Sequence, residues 1–336
     1  MSSVALLIVA MAAGVVAGLA ARTLAVRFTL VSTPNPLVSA HREPIPYLGG
    51  MAVAMGALVG LGVLGELPEL GAAVIVGGLA FLTIGFLDDL RPRAPGRKLL
   101  LQTVCAGIAI SLGLRLPLSG IDAVDAVAGV LWIVIVVNAV NVTDVCDGLV
   151  AGLSAVALVA FALLEPDSRP RSLAVADACL GFLVFNAPQA SLFLGDAGSH
   201  FVGFCLAVPT LAPVGSQAAR PEVLAGLLVL GVPLFELAFV VVVRARKGLP
   251  AWQGSADHFS LRLQNAGVSR WRTDALAWGA GGALALVGVA LVHVDAVAGV
   301  ALLTVVAAAL VAVWRQLLRH EPEASLPASR GTASRA

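Results

Sequence analysis

Apolar residues in this chain come in long runs broken by short polar loops. Eleven runs can be traced, near residues 4–21, 49–64, 70–87, 99–114, 124–140, 149–164, 173–185, 198–212, 223–243, 275–292 and 297–313. A helix crossing the hydrocarbon core of a bilayer needs about 20 mostly apolar residues. Several runs are a little short, so flanking residues would complete them. The seventh is the weakest, being short and holding Asp177, and the last two could be one hairpin. Each unpaired backbone group in lipid costs several kcal/mol, so such segments must be helical. The pattern predicts an all-α polytopic integral membrane protein, with about 10–11 transmembrane helices and the lipid bilayer as its solvent. One domain is expected over residues 1–319. A polar, Ser/Ala-rich tail, 320–336, is expected to be a disordered cytoplasmic extension.

The basic residues orient these spans. None precedes the first run, and Arg22 and Arg27 follow it. That is the pattern of an uncleaved first span with its N-terminus outside. Eleven spans then place Arg22, Arg27 and Arg42 in the first inside loop, and Arg91, Arg93, Arg97 and Lys98 in the third. The ninth loop holds Arg244, Arg246, Lys247, Arg262, Arg270 and Arg272, and the tail holds Arg315, Arg319, Arg330 and Arg335. Seventeen of the 21 basic residues fall inside, leaving Arg115, Arg169, Arg171 and Arg220 outside. The asymmetry implies a multi-pass protein of the inner (plasma) membrane, with its C-terminus in the cytoplasm.

Composition agrees. Of 336 residues, 59% are hydrophobic and 12% charged, which excludes a soluble globular domain and a disordered chain. A net charge of +1 leaves no basic face for nucleic acid. The four cysteines lie singly, with neither disulfide nor zinc spacing. There is no internal repeat of the kind seen in inverted-repeat transporters.

The inside loops also hold polar residues that membrane insertion does not require. Asp88-Asp89 follows the third run. The fifth loop carries Asn138, Asn141, Asp144 and Asp147, and the seventh carries Asn186 and Asp196; neither contains Lys or Arg. Five carboxylates thus lie at helix ends on one membrane face. A carboxylate costs up to roughly 3 kcal/mol at a helix centre in the bilayer. A divalent cation would relieve that cost and their mutual repulsion, and Mg²⁺ takes one or two carboxylates together with phosphate oxygens. Gly49-Gly50, Gly148, Gly195 and Gly198 open helices, whose free N–H groups could receive phosphate. Arg42, Lys98 and His258 are basic partners in the same loops. Acids for metal, bases for phosphate and a lipid-facing location suggest a reaction between a soluble phosphate compound and a lipid phosphate. A transporter is the rival reading, but transporter sites lie near the bilayer midplane, and only Asp177 and Glu236 are clearly intraspan acids.

Over about residues 41–265 these motifs, in order, resemble the polyprenyl-phosphate N-acetylhexosamine-1-phosphate transferase family (MraY/WecA type). Pro46-Tyr-Leu-Gly-Gly50 is similar to its Pro-x-x-Gly-Gly, and Asp88-Asp89 with Arg97-Lys98 and Gln102 to its Asp-Asp segment. Asn141-Val-Thr-Asp144-Val-Cys-Asp147-Gly-Leu resembles Asn-x-x-Asp-Gly-x-Asp-Gly-Leu, with Val145 where Gly is usual. Asn186 with Leu194-Gly-Asp-Ala-Gly-Ser199, and Pro233-Leu-Phe-Glu236, complete the set. The family's clustered histidines are reduced to His258, with Ser260 and Leu261 at the next two positions and Arg262 keeping register. The loop is closer to the GlcNAc-1-phosphate branch than to the muramoyl-pentapeptide branch.

The resemblance implies an enzyme that moves N-acetylhexosamine-1-phosphate from a UDP-N-acetylhexosamine to polyprenyl (undecaprenyl) phosphate and releases UMP. It implies a cytoplasmic active site, Mg²⁺ (or Mn²⁺) as cofactor, and is compatible with a homodimer. Asp196 is assigned to the metal, with Asp89 as a second contributor. Asp88 is a candidate base or orienter of the lipid phosphate, and His258 completes the catalytic set. Asn141, Asp144, Asp147 and Asn186 would hold nucleotide and sugar; Arg42, Lys98, His258 and Arg262 would contact phosphates. A muramoyl-pentapeptide transferase, or a weakened relative serving as a scaffold, is the alternative.

Overall fold

The computed structural model describes residues 3–32, 44–216 and 221–320. Arg42 and the tail beyond residue 320 lie outside the described residues. The chain is an all-α polytopic membrane protein. In order, its helices are α1 (Ser3–Arg27), α2 (Gly49–Leu64), α3 (Ala72–Leu90), α4 (Pro95–Ser111), α5 (Asp122–Thr143), α6 (Leu149–Leu164) and α7 (Arg169–Asn186). They continue as α8 (Gly195–Ala207), α9 (Pro221–Val229), α10 (Gly231–Arg246), α11 (Phe259–Asn265), α12 (Arg270–Leu291) and α13 (Ala296–Arg319). Among the described residues there are also two pairs of two-residue strands: β1 (Val31–Ser32) with β2 (Ile45–Pro46), and β3 (Leu114–Arg115) with β4 (Ala212–Pro213).

Every apolar run maps onto helix, including the seventh, which is α7 despite Asp177. The last two runs are separate helices, because the Asp295 carboxylate accepts the N–H groups of Val297 and Ala298 and starts α13 afresh. The ninth run is broken. Its halves, α9 and α10, meet at 70° across Leu230. Pro233 has no N–H to give the carbonyl of Val229, so a continuous helix would lose that bond and clash.

Among the described residues, five helices are long and apolar enough to cross a membrane, or six if the bent pair is one span. The rest are shorter: α2 and α6 have 16 residues each. At about 1.5 Å per residue such a helix covers some 24 Å, less than a hydrocarbon core of about 30 Å. Helix length alone therefore supports fewer full crossings than the eleven expected.

Small residues let the helices approach. On α1, Gly14 packs against the backbone of Ala178 and Gly181 in α7, and against Gly56 in α2. A side chain at Gly18 would strike the Phe185 ring. Lipid offers no hydrophobic drive between helices, so close van der Waals contact of this kind holds them. At the arginine-poor end, the Asp125 carboxylate accepts N–H groups from Leu118, Ser119 and Gly120 and pins the loop before α5. At the arginine-rich end, the α3–α4, α5–α6 and α7–α8 loops converge on one cavity.

Candidate active site

That cavity has a volume of about 1380 Å³, and all five carboxylates line it: Asp88, Asp89, Asp144, Asp147 and Asp196. Asn141, Asn186 and Tyr47 line it too.

The floor is held by α8. Both oxygens of Asp89 accept backbone N–H groups at its start, from Asp196 (2.8 Å) and Ala197 (2.9 Å). Gly85, one turn before Asp89, permits this, since a Cβ there would collide with the Asp196 carbonyl. Lys98 reaches from α4 and donates to Asp196 at 2.8 Å, while lying 3.1 Å from Asp88. Asp88 also accepts the Arg93 N–H at 2.9 Å. Asn141 donates to the other oxygen of Asp196 at 2.7 Å and to Ser199 at 2.9 Å. Lys98 therefore bridges two carboxylates that would otherwise repel each other.

The wall is made by two loops joined together. Asp147 accepts N–H groups from Gln189 and Ala190. Asn186 accepts the Gly148 N–H at 3.0 Å and donates to the Leu192 carbonyl at 3.1 Å. Gly148 has φ of +77°, a conformation that glycine adopts without strain. Asp144 and Asp147 do not share a helical turn: Asp144 ends α5, and Asp147 lies in the turn before α6.

Asp144 is the exception among the five. Its side chain makes no hydrogen bond or ion pair with the described residues, and those of the other four do. Burial, and then the carboxylates of Asp196, Asp89 and Asp147, push its carboxyl up to about 8. Lys98, Arg93 and Arg270 pair with Asp88, Asp196 and Asp147, which leaves the Asp144 carboxyl facing the cavity without a cation partner among the described residues. Among the described residues no three His, Cys, Asp or Glu side chains are grouped to hold a metal alone. Such a donor set suits Mg²⁺, which keeps waters and takes substrate phosphate oxygens beside one or two carboxylates.

Three expectations need correction. The helix N-termini do not offer free N–H groups to phosphate: Gly49 and Gly50 donate to the carbonyls of Phe193 and Leu194, and α8 is capped by Asp89. His258 does not line the cavity; its Nδ1 lies 2.8 Å from the buried Glu236 of α10. Arg262 is fully buried. It donates to Asp257 at 2.8 Å and to the carbonyls of Leu317 and His320 at the end of α13, and lies over the Phe239 ring. A buried guanidinium must be paired, and the free carbonyls of a helix C-terminus supply partners. Burial alone would raise the Asp257 carboxyl, but Lys247 and then Arg262 hold it below the ordinary range. The ninth loop is thus a structural clasp.

Sequence reasoning also passed over residues that belong to the site. Arg22 and Arg270 line the cavity but read as orientation anchors. Asn138 and Gln102, both noted in the sequence, join His200, which was not, in a buried chain; the His200 Nδ1 lies 2.7 Å from the Asp196 carbonyl, and the chain supports α8 from behind. The signal for His200 is a polar residue inside an apolar run.

Residues 72–213 match the sequence profile of glycosyl transferase family 4, and they contain the α3–α8 floor and both joined loops. This stretch of the chain is similar to that family. Among curated proteins, a probable undecaprenyl-phosphate N-acetylglucosaminyl 1-phosphate transferase of Bacillus subtilis is 27% identical over 263 residues, 74% of this chain and 73% of its own. A decaprenyl-phosphate N-acetylglucosaminephosphotransferase of Mycobacterium tuberculosis is 27% identical over 295 residues, 75% and 73% of the two chains. A phospho-N-acetylmuramoyl-pentapeptide-transferase of Bacillus subtilis is 34% identical over only 148 residues, 43% and 44%.

Proposed function

We propose that this protein transfers N-acetylglucosamine-1-phosphate, or a close N-acetylhexosamine analogue, from its UDP derivative to a polyprenyl phosphate. An oxygen of the lipid phosphate attacks the sugar-bearing phosphorus. The bond from that phosphorus to the oxygen bridging the two phosphoryl groups breaks, and UMP leaves with the electron pair. One phosphoanhydride replaces another, so the step is close to isoergic and needs no ATP. Two anions must meet, so catalysis rests on positioning and charge neutralisation.

The carrying observation is the Lys98 bridge between Asp88 and Asp196 on the floor of a carboxylate-lined cavity at the arginine-rich end. Asp196 and the unpartnered Asp144 would hold Mg²⁺, or Mn²⁺ in its place. The ion supplies charge neutralisation for the phosphoryl groups. Asp89 then acts as the cap that aims Asp196. A phosphate monoester has its second pKa near 6, so the nucleophile is largely ionised at neutral pH. Asp88, fixed by Arg93 and Lys98, therefore orients more than it deprotonates. Asp147 and Asn186 shape the loop that faces the nucleotide sugar. The positive-inside asymmetry supports a plasma-membrane location with this cavity in the cytoplasm.

Purified protein in detergent, given Mg²⁺, undecaprenyl phosphate and UDP-N-acetyl sugars, should release UMP only when metal and lipid are both present. Asp196→Asn should keep the fold and lose most turnover. UMP release undiminished in Asp196→Asn would sink the assignment.

A further inference from the structure

Among the described residues, the cavity is lined by only two cations, Arg22 and Arg270. Their surroundings differ. Arg270 lies 3.6 Å from Asp147, beside the polar loop of Asn186 and Gln189. Arg22 has no ion pair or hydrogen bond with any described residue, and its side chain is exposed. Lys98, the third cation, is already shared between Asp88 and Asp196. Among the described residues, Arg22 is therefore the cation of the site whose charge is not offset.

Its placement follows from α1. Gly14, Gly18, Ala21 and Ala25 form the packed face of that helix, with Gly18 against Phe185. Arg22 follows Gly18 by one turn, at the edge of that face, and so reaches the cavity; Arg27 does not line it. Among the described residues, Arg22 shares the cavity lining with Val26 of α1, Val31 and Ser32 of β1, and Ile45 and Pro46 of β2, a mostly apolar wall. The carboxylate floor begins beyond Tyr47, whose carbonyl oxygen would stand 2.8 Å from a Cβ at Gly195, while Asp89 would stand 2.9 Å from it. Arg22 thus lines the cavity without a carboxylate partner among the described residues, whereas Arg270 faces Asp147.

We propose that Arg22 is the anchoring residue for the phosphate monoester of the apolar-tailed substrate. The inference rests on the transferase reading above and adds a residue that neither its motifs nor the comparisons point to. A guanidinium binds phosphate oxygens through paired N–H donors, and the apolar wall accepts the first methylene groups of the tail. Placed there, the phosphate leaves Arg270, already facing Asp147, to the nucleotide sugar.

The test has two arms. In the kinetic arm, Arg22→Ala should raise KM for undecaprenyl phosphate at least tenfold and leave KM for the UDP-sugar within twofold. Arg22→Lys should recover part of the loss, and Arg27→Ala should match wild type. In the binding arm, which needs no turnover, dodecyl phosphate titrated into the detergent-solubilised protein should bind wild type and bind Arg22→Ala at least tenfold more weakly. Dodecanol, which lacks the phosphate, should show no such difference. Unchanged KM for the lipid, or a rise confined to the UDP-sugar, would overturn the proposal. Equal dodecyl phosphate binding by wild type and Arg22→Ala would also overturn it. Arg22-dependent binding in a protein that turns over no UDP-sugar would defeat the transferase reading while the phosphate site stands.

Discussion

At the scale of single residues, the five aspartates divide by what already holds them. Asp89 spends both oxygens on the α8 backbone, and Asp88 and Asp196 share Lys98. Asp144 is left with the cavity alone. Replacing Asp144 by Asn should therefore cost turnover, on the order of 10²–10³-fold as for other lost electrostatic contacts. It should also raise the Mg²⁺ concentration needed for half activity. A variant with normal metal dependence would show that Asp144 is not a metal ligand. Asp274 of α12 is the other outlier: fully buried, with no hydrogen-bond partner for either oxygen among the described residues. Asp274→Asn removes an uncompensated buried carboxylate, so its thermal midpoint in detergent should rise, by a margin of order 1–3 kcal/mol in stability. A lowered midpoint would mean that the carboxylate has a partner in the membrane. Asp257 carries the opposite sign. Its depressed carboxyl stabilises the ninth-loop clasp above the ordinary aspartate value of about 3.9. That stability is lost as pH falls below it, because the folded state then has to take up a proton it resists. Asp257→Asn should remove this acid sensitivity and lower stability at pH 7 by about 3–5 kcal/mol, since Arg262 stays buried without its carboxylate. The check is thermal midpoint against pH for the two proteins.

At the scale of elements, glycines decide where helices meet. Gly50 of α2 and Gly198 of α8 touch through backbone atoms, and Gly85 brings α3 onto the start of α8. Gly85→Ala should push Asp196 away from Asp89 and Lys98, lowering both stability, by about 1–3 kcal/mol, and turnover. Gly107 of α4 faces open space. Gly107→Ala is the matched control and should be neutral or slightly stabilising. If both variants behave alike, close approach of α3 to α8 is not what sets the site. The elements themselves were largely legible, because a run of apolar residues in lipid has only the helix available to it. The break between α9 and α10 was not read, although Pro233 marks it, because hydropathy does not register a missing N–H. The ninth loop was misread for a related reason. His258 and Arg262 have the chemistry of phosphate contacts, and only the packing of α10, α11 and α13 shows that Glu236, Asp257 and two helix-end carbonyls claim them first.

At the scale of the whole molecule, the arginine-rich end and the carboxylate cavity coincide, as the charge count along the chain foretold. Orientation can be read directly. A thiol introduced by Ser119→Cys should react with an impermeant maleimide on intact cells, and one introduced by Arg91→Cys only after permeabilisation. The reverse labelling would turn the cavity to the outside. Hydropathy, the basic-residue asymmetry and the aspartates at loop ends determined the all-α membrane class, the likeness to phosphosugar transferases and the five acids of the cavity, because these depend on local composition and order. Tertiary structure alone decided which charges are spent. Lys98, His258 and Arg262 look equivalent as basic residues near helix ends, yet one bridges two carboxylates on the cavity floor and two are buried in a clasp. Arg22, which resembled a simple anchor, faces the cavity. A side chain's sequence position states its chemistry, but whether that chemistry remains available depends on what distant helices bring within 3 Å of it, roughly the reach of one hydrogen bond.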